Sequence, residues 1–139
     1  MTTKPWLGAY PPGTHWSAPL RTALRFEGAE LTYAQLDAAC DRLARALVRL
    51  GVRPGSHVGL YLPNTPHYVI GFFAALRAGA TVVNYSPLDA GAVLAHKIED
   101  SRTDLILTLD VPELAGKMLG FLDSTRLATL LLGAVDDFL

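Results

Sequence analysis

Apolar residues recur along this chain with two different periods. Leu36, Ala39, Cys40, Leu43, Leu47 and Leu50 return at three- and four-residue steps. That spacing predicts one apolar stripe on a helix, with Asp37, Asp41, Arg45 and Arg49 on its wet side. Asp41 precedes Arg45 by four residues, the favourable order for an ion pair on that face. Thr32 and Gln35 are spaced as a capping box at its start, and Gly51 supplies a left-handed residue at its end. Upstream, residues 22–26 and 29–32 flank Glu27 and Gly28 and predict a hairpin. Downstream, short apolar runs at 57–62, 81–84, 104–109 and 127–132 predict strands, separated by helical stretches.

Three helices fill those gaps. The first starts with Asn64 or Thr65 as its cap and Pro66 in its first turn. Tyr68, Val69, Ile70, Phe72, Phe73 and Leu76 then surround it, which predicts a core helix between layers. Each such side chain contributes about 1.5–3 kcal/mol on full burial. Together they outweigh the roughly 1 kcal/mol cost of Gly71 inside the helix. The second runs from a cap at Asp89 through Asp100, with Val93, Leu94 and Ile98 facing inward. The third spans 112–122. Strands alternating with helices predict an α/β fold, a mainly parallel sheet with right-handed crossovers and helices on both faces.

Composition narrows the function classes. Charged residues make up 18% and apolar ones 50% of 139 residues, against roughly 25% charged in ordinary soluble domains. Two readings of that shortage stay open, a well-packed domain or a surface that meets a partner or further chain. The net charge of −1 comes from 12 basic and 13 acidic residues mixed along the sequence, without the basic stripe that nucleic-acid binding requires. Cys40 is the only cysteine, so no internal disulfide forms, and its place on the apolar stripe predicts a buried, inert thiol. The longest apolar run, residues 68–76, is too short to span a bilayer, and the N-terminus lacks a secretory apolar core. A cytoplasmic location is expected. Residues 1–20, with four of the nine prolines and both tryptophans, read as an N-terminal arm ahead of an α/β portion at 21–139.

Sequence motifs offer little chemistry. Gly116 and Lys117 hint at a phosphate-binding loop, but Met118 stands where Ser or Thr is needed and Val111 where the first glycine should be. His15, His57, His67 and His96 lack metal-ligand spacing and are expected in structural roles. Glu99 and Asp100 are adjacent on a helix and diverge, so they cannot share an acid–base task. No metal site is predicted.

The order of pieces, however, resembles one superfamily. Leu31, Thr32, Tyr33, Ala34, Gln35 and Leu36 are similar to the opening helix of the AMP-forming acyl-CoA synthetases and their adenylating relatives. Gly51, Val52, Arg53, Pro54 and Gly55, then the strand into Pro63 and Asn64, resemble its next strand and turn. Phe73, Ala74, Ala75, Leu76, Arg77, Ala78, Gly79 and Ala80 resemble the following helix and its glycine stop. Val83, Asn84, Tyr85, Ser86, Pro87 and Leu88 look most like the fatty acyl-CoA ligase branch. The similarity covers roughly residues 20 to 135.

That resemblance implies a two-step reaction: a carboxylate attacks Mg-ATP to form an acyl-adenylate and pyrophosphate, and the thiol of coenzyme A then displaces AMP. It also implies a later Ser/Thr/Gly-rich loop with a lysine, absent from these residues, so the chain is expected to be the N-terminal part of a longer ligase, truncated before the phosphate-binding loop. The piece alone is expected to be inactive and to bind ATP, Mg2+ or coenzyme A only weakly. No catalytic residue is assigned. By the resemblance, Asn84, Tyr85 and Ser86 lie beside the route of coenzyme A; a strand-to-loop exit held by local backbone bonds is the competing explanation. Arg77 reads either as a pocket cation or as a charge at the negative end of its helix. Expected partners are the remainder of the ligase chain, a fatty acid and a second copy in a homodimer. Two alternatives remain: a non-catalytic self-association or docking module, and an adenylating enzyme that loads a carrier protein.

Overall fold

A computed structural model describes residues 19–138 of the chain. The arm expected over residues 1–20 therefore lies outside the described residues, apart from Pro19 and Leu20. Strands β1 (Thr22–Phe26) and β2 (Ala29–Thr32) pair antiparallel across Glu27 and Gly28, both at positive φ (49° and 86°). Helix α1 (Tyr33–Arg49) follows, then β3 (His57–Leu60), α2 (Pro66–Arg77) and β4 (Thr81–Asn84). Helix α3 (Gly91–Asp100), β5 (Leu105–Leu109), α4 (Pro112–Phe121) and β6 (Thr129–Gly133) complete the alternation, and a 3₁₀ turn (Val135–Phe138) ends it. The second sheet is parallel throughout, in the order β4-β3-β5-β6.

Alternation along the strands assigns the faces. Val58, Leu60, Leu105, Leu107 and Leu109 pack with Leu47 of α1 and with Ala74 and Ala75 of α2. Ile106 points the other way, into Leu94 and Ile98 of α3 and Met118 of α4. The sheet is thus covered on both faces, as the alternating pattern predicts. The hairpin forms a satellite cluster, Leu31 packing with Leu36, Cys40 and Ile70. Among the described residues no helix is long and apolar enough to cross a membrane.

Local signals at α1 hold in detail. Thr32 Oγ1 accepts from the Gln35 N–H at 3.2 Å, and Gln35 Oε1 accepts from the Thr32 N–H at 2.8 Å. Gly51 sits at φ 99° just past the helix. Other expectations need correction. Leu50 is 48% exposed, because the helix ends there and the stripe has run out. The Asp41 carboxylate bonds to Arg77 of α2, where Arg45 had been expected. Thr65 does cap α2 by position, but its hydroxyl makes no capping bond, and α3 is capped by Ala90 one residue after Asp89. Val93 is 52% exposed while Leu94 and Ile98 are fully buried, so α3 shows the sheet a narrower stripe than predicted.

Helix α2 carries the largest revision. Its buried positions include Ile70, Gly71, Ala74 and Ala75, whereas Tyr68, Val69, Phe72 and Phe73 are only partly buried and Leu76 is exposed. Close approach explains this. A Cβ on Gly71 would stand 3.2 Å from Leu60 Cδ2 and 3.4 Å from Leu107 Cδ1, so small residues set the helix against the sheet and push the large ones to its flanks.

Candidate functional site

In an open parallel sheet the ligand crevice lies beyond the carboxyl ends of the strands, where successive connections leave in opposite directions. Here that point falls between β3, which continues through α2 on one face, and β5, which continues through α4 on the other. Tyr61, just after β3, lies at this rim. Its carbonyl accepts from Thr108 Oγ1 at 2.7 Å, and its ring is fully buried with no hydrogen-bond partner for the phenol oxygen. Burial raises that phenol above its ordinary pKa, and the charge of Asp89 adds to the shift.

Asn84, Tyr85 and Ser86 leave β4 at the same rim and do three different things. Asn84 is exposed, and its Oδ1 accepts from Tyr68 OH at 2.9 Å. Tyr85 is 3% exposed; its hydroxyl lies 2.9 Å from Ser101 Oγ and its ring sits 5.2 Å from the Lys97 ammonium. The ring can lie there because position 59 is glycine: an added Cβ would fall 2.7 Å from Tyr85 Cε2 and 2.6 Å from Ile106 Cγ1. Ser86 Oγ accepts from the Leu88 N–H at 3.1 Å and Ser86 O from the Asp89 N–H at 3.1 Å. The fold therefore leaves Asn84 and Ser86 toward the surface and turns the Tyr85 side chain into the core. Tyr68, which fixes Asn84, was missed by sequence reasoning; nothing in a sixteen-residue separation marks that pair.

Arg77 borders an open hollow with Asp41, Arg45 and Arg49, and its charge is paired with aspartates. Its guanidinium is 6% exposed and joins α2 to α1, donating to Asp37 O at 2.8 Å, to Asp37 Oδ1 at 2.7 Å and to Asp41 Oδ1. Cys40, 1% exposed, has its thiol pushed up to about 11 by burial, with the nearby Arg77 charge opposing and Asp37 and Asp41 adding. Such a thiol is inert at neutral pH. His57 Nδ1 pairs with the Ser101 carbonyl, and His67 Nε2 pairs with Asp137 Oδ2 at 3.2 Å. Among the described residues no three His, Cys, Asp or Glu side chains cluster as metal ligands would. Gly116 and Lys117 lie inside α4, away from any loop.

The chemistry of this rim is limited by its charges. The segments that follow β3, β4, β5 and β6 supply Asp89, Asp110, Glu113, Asp136 and Asp137, and neither lysine nor arginine. An amide, a hydroxyl and a phenol can hydrogen-bond a neutral ligand segment there. They cannot neutralise a triphosphate, which needs cations or a metal at the developing charge. The residues present do not fit ATP by themselves.

The sequence pattern described as AMP-binding enzyme matches residues 16–135, taking in every strand and helix from β1 to β6. The chain belongs to that family. Within it, a long-chain-fatty-acid–CoA ligase of Bacillus subtilis is 30% identical over 129 residues, covering 80% of this chain and 23% of the ligase. Tyrocidine synthase 3 of Brevibacillus parabrevis is 41% identical over 91 residues, 66% of this chain and 1% of the synthase. Among solved structures, a long-chain-fatty-acid–CoA ligase of Archaeoglobus fulgidus superposes with a TM-score of 0.70 at 26% identity, over 75% of this chain and 20% of that one. An anthranilate CoA ligase in complex with anthranoyl-AMP gives 0.72 at 25% identity, over 83% and 22%. The chain thus corresponds to the N-terminal portion of an AMP-forming ligase and spans about a quarter or less of those relatives.

Proposed function

We propose that the chain is the scaffold-forming N-terminal portion of a fatty acid–CoA ligase, which activates a carboxylate with Mg-ATP and passes the acyl group to coenzyme A. The observation that carries this reading is the superposition on solved CoA ligases, over 75% and 83% of the chain. The Bacillus fatty-acid ligase aligns over 80% of the chain at 30% identity. The rim supports a division of labour: without a cation among its segments, it leaves phosphate chemistry to the rest of the ligase. Asn84 and Ser86 line the route of coenzyme A, hydrogen-bonding the uncharged amide-bearing arm of that cofactor. Tyr85 contributes by holding the loop in place from beneath.

The test is ATP–pyrophosphate exchange with a fatty acid and Mg2+. The 139-residue chain alone shows none, whereas the polypeptide continued through a Ser/Thr/Gly-rich loop shows fatty-acid-dependent exchange and then CoA-dependent release of AMP. Robust exchange by the short chain refutes the division of labour. In the continued enzyme, Asn84→Ala raises the KM for coenzyme A several-fold and leaves the exchange reaction unchanged. A second reading, transfer to a carrier protein, draws on the 41% identity to tyrocidine synthase 3. An acyl-thioester on a carrier protein, with no acyl-CoA product, selects it.

A further inference from the structure

Residues 42–88 hold five arginines and no carboxylate, in a chain whose overall charge is −1. Folding separates those arginines. Arg77 takes both aspartates of α1, Asp37 and Asp41, so the helix has no further acid for its own cations. Arg42, Arg45 and Arg49 recur at steps of three and four residues on the exposed crest of α1, and Arg53 is exposed in the turn after it. Among the described residues no carboxylate lies within ion-pair distance of any of these four guanidinium groups. Asp137, across the hollow that Arg42 also borders, is taken up by His67.

An aliphatic side chain accompanies these cations. Val48, 55% exposed, shares with Arg45, Arg49, Asp41, Ala44 and Arg77 the walls of an open hollow beside the crest. Water hydrates the guanidinium heads but gains nothing from Val48. We propose that the crest docks on an anionic lipid surface, its four arginines pairing with phosphate-bearing headgroups while Val48 reaches the boundary of headgroup and acyl chain. A guanidinium fork matches two oxygens of one phosphate. The arginines stand in a row along a helix rather than around a groove, so a broad charged plane suits them better than an extended acidic chain, which a groove would orient. The inference goes beyond the ligase reading and holds whichever acceptor the ligase serves.

Cosedimentation of the 139-residue protein with lipid vesicles tests this. Phosphatidylcholine vesicles with roughly 30% phosphatidylserine should take up the protein at least about ten-fold better than phosphatidylcholine alone in about 0.1 M salt, and about 0.5 M salt should remove the difference. Each arginine at such a surface contributes about five-fold in partitioning, so Arg42→Gln/Arg45→Gln/Arg49→Gln should lose about 100-fold. Val48→Ser, which leaves the charge unchanged, should weaken uptake by about two-fold or more. Lys117→Gln, on α4 across the sheet, should change it by less than about two-fold. Equal uptake by the two kinds of vesicle overturns the inference. Parental uptake by the triple variant or by Val48→Ser, with the far-ultraviolet circular dichroism unchanged, overturns it as well. Polyglutamate or duplex DNA bound as tightly as the vesicles at the same salt assigns the crest to another polyanion, and this too overturns it.

Discussion

Two glycine-to-alanine substitutions in this fold should move stability in opposite directions. At Gly59, in the middle of β3, an added methyl would lie 2.6 Å from Ile106 Cγ1, 2.7 Å from Tyr85 Cε2 and 3.1 Å from Thr103 Cγ2. Ile106 and Thr103 are fully buried and Tyr85 is held by Ser101, so none of the three can swing into solvent. Overpacking of this kind costs about 1–3 kcal/mol, and the smaller entropy gain of replacing glycine, about 0.4–1 kcal/mol, offsets only part of it. We expect a net loss of about 1–2 kcal/mol. At Gly116, inside α4, nothing lies within 4 Å of the added Cβ, so alanine should gain about 0.5–1 kcal/mol from helix propensity alone. Urea unfolding followed by circular dichroism reads both, at constant slope. A Gly59→Ala protein as stable as the parent would refute the close packing of Tyr85 over β3. A Gly116→Ala protein less stable than the parent would refute the open surface of α4.

Two further outcomes rest on buried charge and burial. Arg77→Met should cost about 2–4 kcal/mol, since the Asp37 and Asp41 carboxylates lose their cation while remaining partly hydrated; Asp37→Asn added to it should recover part of the loss, and a single variant within about 0.5 kcal/mol of the parent would show that the clamp contributes nothing. For Cys40, the folded thiol titrates near 11, above its ordinary value of 9.0. Its contribution is therefore complete below about pH 9 and is lost as pH rises toward 11, because the unfolded chain releases its proton first. The urea midpoint should fall across that window more steeply in the parent than in Cys40→Ala, and parallel pH profiles would contradict the buried thiol.

Periodicity and punctuation revealed the element order of this chain because each depends on near neighbours. The capping box at Thr32 and Gln35, the Gly51 stop and the 3.6-residue stripe of α1 are contacts within one turn of helix. Strands separated by helices fixed a parallel sheet for a similar reason, since crossover connections permit little else. The candidate site was less accessible. Asn84, Tyr85 and Ser86 are consecutive, yet which of them faces solvent depends on the absence of a side chain at Gly59, on the neighbouring strand.

What the sequence determined by itself was therefore local: where helices start and stop, which runs are strands, and that the cysteine is buried. Only the tertiary structure decided that Arg77 joins α2 to α1 through two aspartates. It likewise decided that α2 buries its small residues while its aromatic rings stand at the flank. Each of those outcomes sums contacts between segments tens of residues apart. Such contacts arise from interhelix distance and strand register, which no single stretch of the chain encodes.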